Sequence, residues 1–358
     1  MKIVIKVGTR SILSEDGTPC EAIMLDLVKQ IAFLQQAGHQ VVLVSSGAVG
    51  SGRKVAEQYL GRRYGSSIGE KQVLASLGQH ELMHLYASMF KSHHLLASQL
   101  LLTKQDFRTR QHYLNIARLI HELLKHNNII PIINENDSVA IEELMFTDND
   151  ELAGLIAAQI NADKLIILSI VDGVYLGHPD DMDAKLIQRI DSASQWPDVS
   201  STKSTLGRGG MHTKLGTAKK MSELGITTHI ANINQPDIIL RLMQEESLGT
   251  VIIPSRKKSN IKRWIAYSSD NPSGAIYVNL CLLAILEEKN RIISILPVGI
   301  EKLTGAFKKG DLVEIRALDD KKVGVGIARY DATQLNDYLG QKDKPAFIHY
   351  DQLHLYSI

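Results

Sequence analysis

Short runs of β-branched residues alternate with longer stretches of helical periodicity through the first 250 residues, and this alternation limits the possible folds. The predicted strands are Lys2–Val7, Gln40–Ser45, Leu95–Leu102, Ile129–Ile133 and Lys164–Ser169, and clear helical patterns cover 108–126 and 149–160. Parallel strands need crossover connections, which are usually helices. We therefore predict an α/β fold, a three-layer α/β/α sandwich with a mainly parallel central sheet.

A further helix is predicted between the first two strands. Thr18 and Glu21 have the spacing of a capping box, and Pro19 would occupy the first helical position. Apolar residues then recur at helical spacing as far as Leu34, and Gly38 is the predicted stop.

The length of 358 residues exceeds what a single hydrophobic core usually organises. The composition changes after Ile253, where a basic segment precedes short strand-like runs rich in turn residues. We predict a large domain over 1–255, a basic linker over 256–272 and a small β-rich domain over 273–358.

Bulk properties narrow the class of protein. The formal net charge is +1, which argues against a global electrostatic attraction to nucleic acid or to an anionic membrane. The two cysteines match no metal-binding or CxxC spacing, and we find neither a signal-peptide pattern nor an apolar run long enough to span a membrane. These features predict a cytoplasmic enzyme.

Glycine-rich turns with adjacent lysines suggest phosphate chemistry, although the Walker A pattern is absent. Lys6 ends the first strand just before Gly8, and the turn 207–214 enters a predicted helix with Lys214 in its first turn. Glycines let backbone N–H groups approach phosphate oxygens, and lysines offset the charge of a transferring phosphoryl group. Further polar clusters at 46–47, 134–137 and 169 follow predicted strands, where ligands bind in parallel sheets.

Five segments occur in an order that resembles the amino acid kinase family. They read KVGT, SSGAVGSG, INENDSVA, FTDNDELAG and GRGGMHTK, and they extend from Lys6 to Lys214. INENDSVA and DNDEL resemble the members that phosphorylate free glutamate, and the C-terminal segment resembles a PUA domain. The resemblance implies the amino acid kinase fold and ATP- and Mg²⁺-dependent phosphorylation of the side-chain carboxylate of L-glutamate. The product would be γ-glutamyl 5-phosphate, in the first step of proline biosynthesis.

The same resemblance implies roles for individual residues. The catalytic set would be Lys6, Lys214 and Asp150, with Asp150 holding both lysines. The substrate set would be Ser46, Gly47, Asn134, Asp137 and Asn149; an ionised Asp137 suits an α-ammonium group, and amides and hydroxyls suit a carboxylate. The nucleotide set would be Lys6, Gly8, Ser169, Ile170, Arg208, Gly209, Gly210, Met211, His212, Thr213 and Lys214. No residue is assigned as a metal ligand.

Three positions depart from the family pattern, and all belong to the nucleotide set. Ile170 stands where aspartate is usual, Arg208 replaces a threonine, and His212 replaces a small residue. We also expect from the family a homo-oligomer, a dimer or a tetramer, inhibition by proline, and handover of the product to glutamyl phosphate reductase.

Three alternatives stay open beside this interpretation. Aspartate or N-acetylglutamate could replace glutamate as the acceptor on the same fold. His80, Glu81 and His84 match the HExxH zinc signature, but no third ligand follows nearby, so we favour an ordinary amphipathic helix. An RNA-binding role of the C-terminal domain is disfavoured because 273–358 contains 11 Lys/Arg and 11 Asp/Glu, which is no basic excess, and a packing or regulatory module is favoured instead.

Overall fold

The computed structural model describes residues 1–107, 110–139, 146, 148–177, 183–191, 196–197, 210–254, 272–287 and 293–356. These residues form two compact units, Met1–Lys104 with Ile116–Lys257, and Gln105–Asn115 with Lys258–Ile358. The predicted linker lies almost wholly outside the described residues, so the predicted domain boundaries stay a prediction.

The larger unit is built on an eight-stranded sheet and the helices that cover it. Its strands are β1 (Lys2–Val7), β2 (Gln40–Ser45), β3 (Leu96–Leu102), β4 (Ile129–Glu135), β5 (Lys164–Ser169), β8 (Arg189–Ile190), β9 (Thr227–Asn232) and β10 (Thr250–Ile252); β6 (Val174–Leu176) and β7 (Lys185–Ile187) form a separate ribbon. The helices are α1 (Thr9–Ile12), α2 (Glu21–Gln36), α3 (Ala48–Leu60), α4 (Ile68–Lys91), α6 (Asn149–Ile160), α7 (Met211–Glu223), α8 (Ile238–Met243) and the part of α5 (Arg110–Leu124) that begins at Ile116.

The strand order of the large sheet is β3-β4-β2-β1-β5-β9-β10-β8. Every neighbouring pair from β3 to β9 is parallel, and only β10 runs antiparallel to its neighbour β9. The prediction of a mainly parallel α/β sheet is therefore confirmed, and β4 differs by extending two residues beyond its predicted end, to Glu135.

Both faces of the central strands are buried, as crossover helices require. In β1, Ile3, Ile5 and Val7 belong to a core that also contains apolar residues of α2 and α4. Side chains alternate along a strand, so Val4 and Lys6 point to the opposite face, where α6 contacts the sheet. The side chain of Lys6 thus lies on the face of the sheet that α6 covers.

The predicted capping box of α2 is wrong. The helix begins at Glu21, its N-cap is Cys20, and no side chain caps it. The Thr18 hydroxyl donates instead to Asp16 (2.8 Å), and Pro19 forms a β-bridge with Leu13. The predicted end is confirmed, because the helix stops at Gln36 and Gly38 follows with φ +83°.

The smaller unit contains a five-stranded sheet ordered β12-β11-β13-β14-β15. Its elements are β11 (Gly274–Val278), α9 (Leu280–Glu287), β12 (Ile300–Gly305), β13 (Leu312–Arg316), β14 (Lys322–Ile327), α10 (Ala332–Tyr338) and β15 (Leu353–Leu355). A core of its own, including Phe307, Phe347 and Leu335, packs against this sheet. The β-rich C-terminal prediction is confirmed. Within the described ranges of both units, no helix has the length and apolarity needed to cross a membrane.

Candidate active site

The predicted site residues gather where the parallel strands end. Lys6 lies beside Val44 of β2 and Ile167 of β5 in the sheet register, and Ser46 follows β2 directly. Asn134 is the second-last residue of β4 and pairs with Leu101 of β3. Because these strands are parallel, their carboxyl ends share one edge of the sheet, as expected for a ligand site.

Two lysines from different elements meet on one carboxylate. Lys6 Nζ lies 2.5 Å from Asp150 Oδ1, and Lys214 Nζ donates to Asp150 Oδ2 at 2.8 Å. Asp150 is fully buried, while Lys6 and Lys214 keep 4% and 8% of their surfaces exposed. The three side chains form a cluster, which we call the Lys–Asp–Lys bridge, joining β1, α6 and α7.

Electrostatics keeps the central carboxylate of this bridge ionised. Burial by itself would raise the pKa of Asp150, but the charges and hydrogen bonds of Lys6 and Lys214 outweigh it and lower the pKa to about 2. Asp150 also lies in the first turn of α6, where the helix dipole favours a negative charge. Lys214 lies in the first turn of α7, where the dipole opposes its charge, so the bridge to Asp150 compensates for that position.

A second carboxylate shapes the start of α6. Asp148 is its N-cap, and Oδ1 accepts hydrogen bonds from the backbone N–H groups of Asp150 (2.8 Å) and Glu151 (3.1 Å). Burial raises the pKa of Asp148, and the nearby charge of Asp150 raises it further. The sequence prediction omitted Asp148, although an aspartate directly before a helical pattern is a known N-cap signal.

The predicted substrate residues form a chain of hydrogen-bonded amides. Asn149 Nδ2 donates to Ser46 Oγ (2.7 Å) and to Asn134 Oδ1 (2.8 Å). Both amide hydrogens of Asn149 are thereby used. Its Oδ1 is buried and has no hydrogen-bond partner among the described residues. Asn149 therefore has a buried acceptor that no described group satisfies.

A small pocket lies beside this amide chain. Asp137 lines it together with Glu135, Ser138 and Gln79, and the rest of its lining is Ala48, Ala75, Leu101 and Asn136. Gln79 belongs to α4 and accepts a hydrogen bond from Asn134 Nδ2 at 2.8 Å. The sequence prediction missed Gln79, because its position in a long helix far from the other motifs gives no local signal.

Glycines at a helix crossing place α4 at this pocket. A Cβ added to Gly52 of α3 would lie 1.9 Å from Leu74 O, and one added to Gly78 of α4 would lie 1.9 Å from Ala48 O. Only glycine allows such an approach, so the two backbones meet here. Gly47 precedes α3 with φ +116°, in the left-handed region that glycine adopts readily, and positions the helix N-terminus next to Ser46.

The predicted nucleotide residues are only partly described. Gly210 is the N-cap of α7, Met211 is its first residue, and the Thr213 hydroxyl donates to Gly210 O at 2.8 Å. His212 is exposed. Arg208 and Gly209 lie outside the described residues.

The other nucleotide residues lie at strand ends. Ser169 ends β5, Ile170 follows with 43% of its surface exposed, and a Cβ at Gly8 would lie 3.5 Å from Lys6 Nζ. The exposure of Ile170 shows that its apolar side chain is not a core residue. Gly8 lies against the Lys–Asp–Lys bridge.

The HExxH segment lies within α4, as the amphipathic-helix interpretation predicts. His80 and His84 are exposed on this helix and Glu81 is half-buried. Among the described residues, no three His, Cys, Asp or Glu side chains are arranged to hold a metal ion.

A parallel sheet with two buried lysines bridged by a carboxylate at its strand ends is a site suited to transferring a phosphoryl group between anions. Residues 1–232 match the Amino acid kinase family, and residues 286–345 match the PUA domain. The chain belongs to the amino acid kinase family.

Two curated relatives share nearly the whole chain, and both are glutamate 5-kinases. The one from Bacteroides thetaiotaomicron is 40% identical over 358 residues, covering 99% of this chain and 98% of the relative. The one from Chlorobaculum tepidum is 43% identical over 362 residues, covering 99% and 97%. Among solved structures, isopentenyl phosphate kinase from T. acidophilum has a TM-score of 0.50 at 18% identity, covering 70% of this chain and all of that one. That structural likeness supports the fold alone.

Proposed function

We propose that this protein transfers the γ-phosphoryl group of ATP to the side-chain carboxylate of L-glutamate, giving ADP and γ-glutamyl phosphate. The observation that carries the proposal is the Lys–Asp–Lys bridge, in which Lys6 and Lys214 meet on Asp150 at the strand ends. The full-length similarity to glutamate 5-kinases supports the choice of acceptor.

The reaction needs no general base. A glutamate side chain has a reference pKa of about 4.3, so at neutral pH its carboxylate is already the nucleophile. An oxygen of this carboxylate bonds to the γ-phosphorus of ATP, and the bond from that phosphorus to the bridging oxygen of ADP breaks. The enzyme must bring two anions into line and offset their repulsion, and Lys6 and Lys214 supply the positive charge.

Asp150 acts in this scheme by positioning the lysines. With a pKa of about 2 and both oxygens against lysines, it is a poor proton acceptor at neutral pH. Its charge lets two ammonium groups lie close together in a buried place, because the carboxylate offsets the repulsion between them.

The proposed substrate residues offer donors and acceptors suited to a free amino acid. Ser46 Oγ accepts from Asn149, so its own hydroxyl hydrogen points elsewhere, and the N-terminus of α3 begins two residues later. These donors suit the α-carboxylate. Asn149 Oδ1, buried and unpartnered among the described residues, suits the α-ammonium group, as does the carboxylate of Asp137.

ATP would lie against Gly8, Ser169, Ile170 and the turn 207–214, with Lys214 directed at its phosphates. Mg²⁺ usually binds through one or two carboxylates and the phosphates of the nucleotide. The described residues form no dedicated metal cage, and both oxygens of Asp150 face lysines. We therefore assign no residue to Mg²⁺, which would be held by the phosphates and would neutralise part of their charge.

The product is an acyl phosphate, which water hydrolyses readily. We propose that it passes to a reductase, glutamyl phosphate reductase, in proline biosynthesis, that the protein acts in the cytoplasm, and that it is a homo-oligomer.

The test is ATP- and Mg²⁺-dependent formation of γ-glutamyl hydroxamate from L-glutamate and hydroxylamine. Aspartate and N-acetylglutamate are run in parallel, because they lack one methylene or carry an acyl group on the amine. Lys214→Met keeps the length of the side chain and removes its charge, so it should lower kcat by more than about 100-fold.

The outcomes separate the parts of the proposal. A signal with glutamate alone that Lys214→Met abolishes supports both the reaction and the role of the lysine. A signal only with another acid would keep the kinase chemistry and replace the substrate. No signal with any of the three acids would contradict the proposed reaction.

A further inference from the structure

We infer that Gln79 is a positioning residue that fixes the orientation of the substrate-binding amides, and so sets the affinity for the amino acid without touching the nucleotide. The inference rests on the proposed function for the identity of the amino acid. It is carried by two linked hydrogen bonds that join Gln79 to Asn134 and Asn134 to Asn149.

Asn134 is held at both ends of its amide. Its Oδ1 accepts from the backbone N–H of Glu135 at 2.8 Å, and its Nδ2 donates to Gln79 Oε1 at 2.8 Å. Only 2% of the Asn134 surface is exposed, so water cannot replace a lost partner easily. The contact with the backbone of Glu135 cannot be removed by substituting a side chain. Gln79 is therefore the partner of Asn134 whose contribution a substitution can test.

The orientation of Asn134 determines that of Asn149. Because Asn134 Oδ1 faces Asn149, the latter must present its Nδ2, which also donates to Ser46 Oγ. The Oδ1 of Asn149 is then left as a buried acceptor with no partner among the described residues. A free amino acid offers N–H donors only at its ammonium group, so this acceptor is matched to that group.

The backbone crossing of α3 and α4 holds Gln79 in place. Gly78 is its neighbour in the chain, and a Cβ there would lie 1.9 Å from Ala48 O and 2.2 Å from Gly52 N. Ala48 and Gln79 both line the pocket. The position of Gln79 is therefore fixed by backbone packing, as a side chain that orients others requires.

Gln79→Met tests this role, since methionine has nearly the same length and lacks the acceptor oxygen. We expect the KM for glutamate to rise about tenfold, equivalent to about 1.4 kcal/mol of binding free energy. The KM for ATP should stay within about twofold of the wild type, because the hydrogen bond from Asn134 to Gln79 leads to the amides.

Gln30→Met is the matched control. Gln30 is 1% exposed, and its Oε1 accepts from Ile239 N at 2.7 Å, so the same substitution removes a buried acceptor outside the amide chain. We expect a lower Tm with an unchanged KM for glutamate. Loss of stability and loss of substrate orientation are thereby told apart.

Binding is also measured without catalysis, by the rise in Tm that glutamate produces in the absence of ATP. The wild type should show the rise, and Gln79→Met should need about ten times more glutamate for the same rise. This readout keeps the inference testable if the hydroxamate assay gives no signal.

Three results would overturn the inference. The first is a KM and a glutamate-induced rise in Tm for Gln79→Met that match the wild type. The second is an equal rise in the KM values for glutamate and ATP, which would indicate general distortion. The third is a wild type whose Tm does not respond to glutamate, which would refute the assigned ligand.

Discussion

Replacing Asp150 with asparagine removes the carboxylate that joins Lys6 to Lys214 while keeping the shape of the side chain. Two ammonium groups that are 4% and 8% exposed would then face each other across a neutral amide. Removing one partner from a buried ionic cluster typically costs about 3–5 kcal/mol, because the remaining charge stays buried without compensation. We expect a loss of stability in that range.

The pKa of Asp150 gives a second measure of the same interaction. A shift from 3.8 to about 2 corresponds to about 2 kcal/mol, after the cost of burying the carboxylate has been subtracted. This value lies below the mutational one because the substitution also leaves the lysines uncompensated. The folded pKa is depressed, so the stabilisation is complete above pH 4 and is lost as the pH falls towards 2.

The assay is thermal unfolding of the wild type and Asp150→Asn between pH 7 and pH 3. For a large domain, about 2 °C of Tm per kcal/mol predicts a fall of about 6–10 °C at pH 7. The difference between the two proteins should narrow below pH 4, where the carboxylate of Asp150 takes up a proton in the unfolded chain but stays ionised in the folded one until about pH 2.

A double variant shows whether lysine repulsion causes the loss. Asp150→Asn combined with Lys214→Met leaves one buried ammonium group instead of two, so part of the Tm should return. A Tm for Asp150→Asn within 2 °C of the wild type, or no recovery in the double variant, would refute the electrostatic account of the bridge.

Further consequences of the structure can be tested in the same way. His229 is buried, and burial lowers its pKa to about 4, so the folded state binds fewer protons than the unfolded state between pH 6.5 and pH 4. The free energy of unfolding should fall by about 3 kcal/mol as the pH drops from 6.5 to 4. His229→Leu should flatten this dependence on pH, measured by urea unfolding. Gly78→Ala should lower stability by more than about 2 kcal/mol and raise the KM for glutamate, because its Cβ meets backbone at 1.9 Å. Gly69→Ala on the same helix meets nothing within 4 Å and should stabilise by about 0.5–1 kcal/mol; an equal loss in both variants would contradict the crossing account. Tyr86→Phe removes the 2.9 Å contact with Ser45 Oγ and should cost about 1 kcal/mol in chemical denaturation; an unchanged midpoint would show that the contact adds nothing.

The sequence was sufficient for the architecture because local patterns carry it. β-branched runs such as Lys2–Val7 and helical stretches such as Asn149–Ile160 have the bounds predicted from periodicity alone. The start of α2 was mispredicted because Thr18 had two possible partners. Its hydroxyl bonds to Asp16 in the turn, and a sequence pattern cannot rank that contact against a helix cap.

The sequence by itself determined the residue types of the site and the strand ends on which they lie. Lys6 and Asn134 lie near the carboxyl ends of strands and Ser46 follows one directly, and the parallel arrangement of these strands could be predicted, so their approach to a common edge was predictable too. That Lys6 and Lys214 meet on Asp150 was implied only by the family resemblance, and the tertiary structure supplies the geometry, one lysine on each carboxylate oxygen. Pairing between residues 64 or more positions apart depends on how helices pack on a sheet, and no local pattern records it. The same reason explains Gln79, whose amide contacts Asn134 only because two glycines let α3 and α4 meet backbone to backbone.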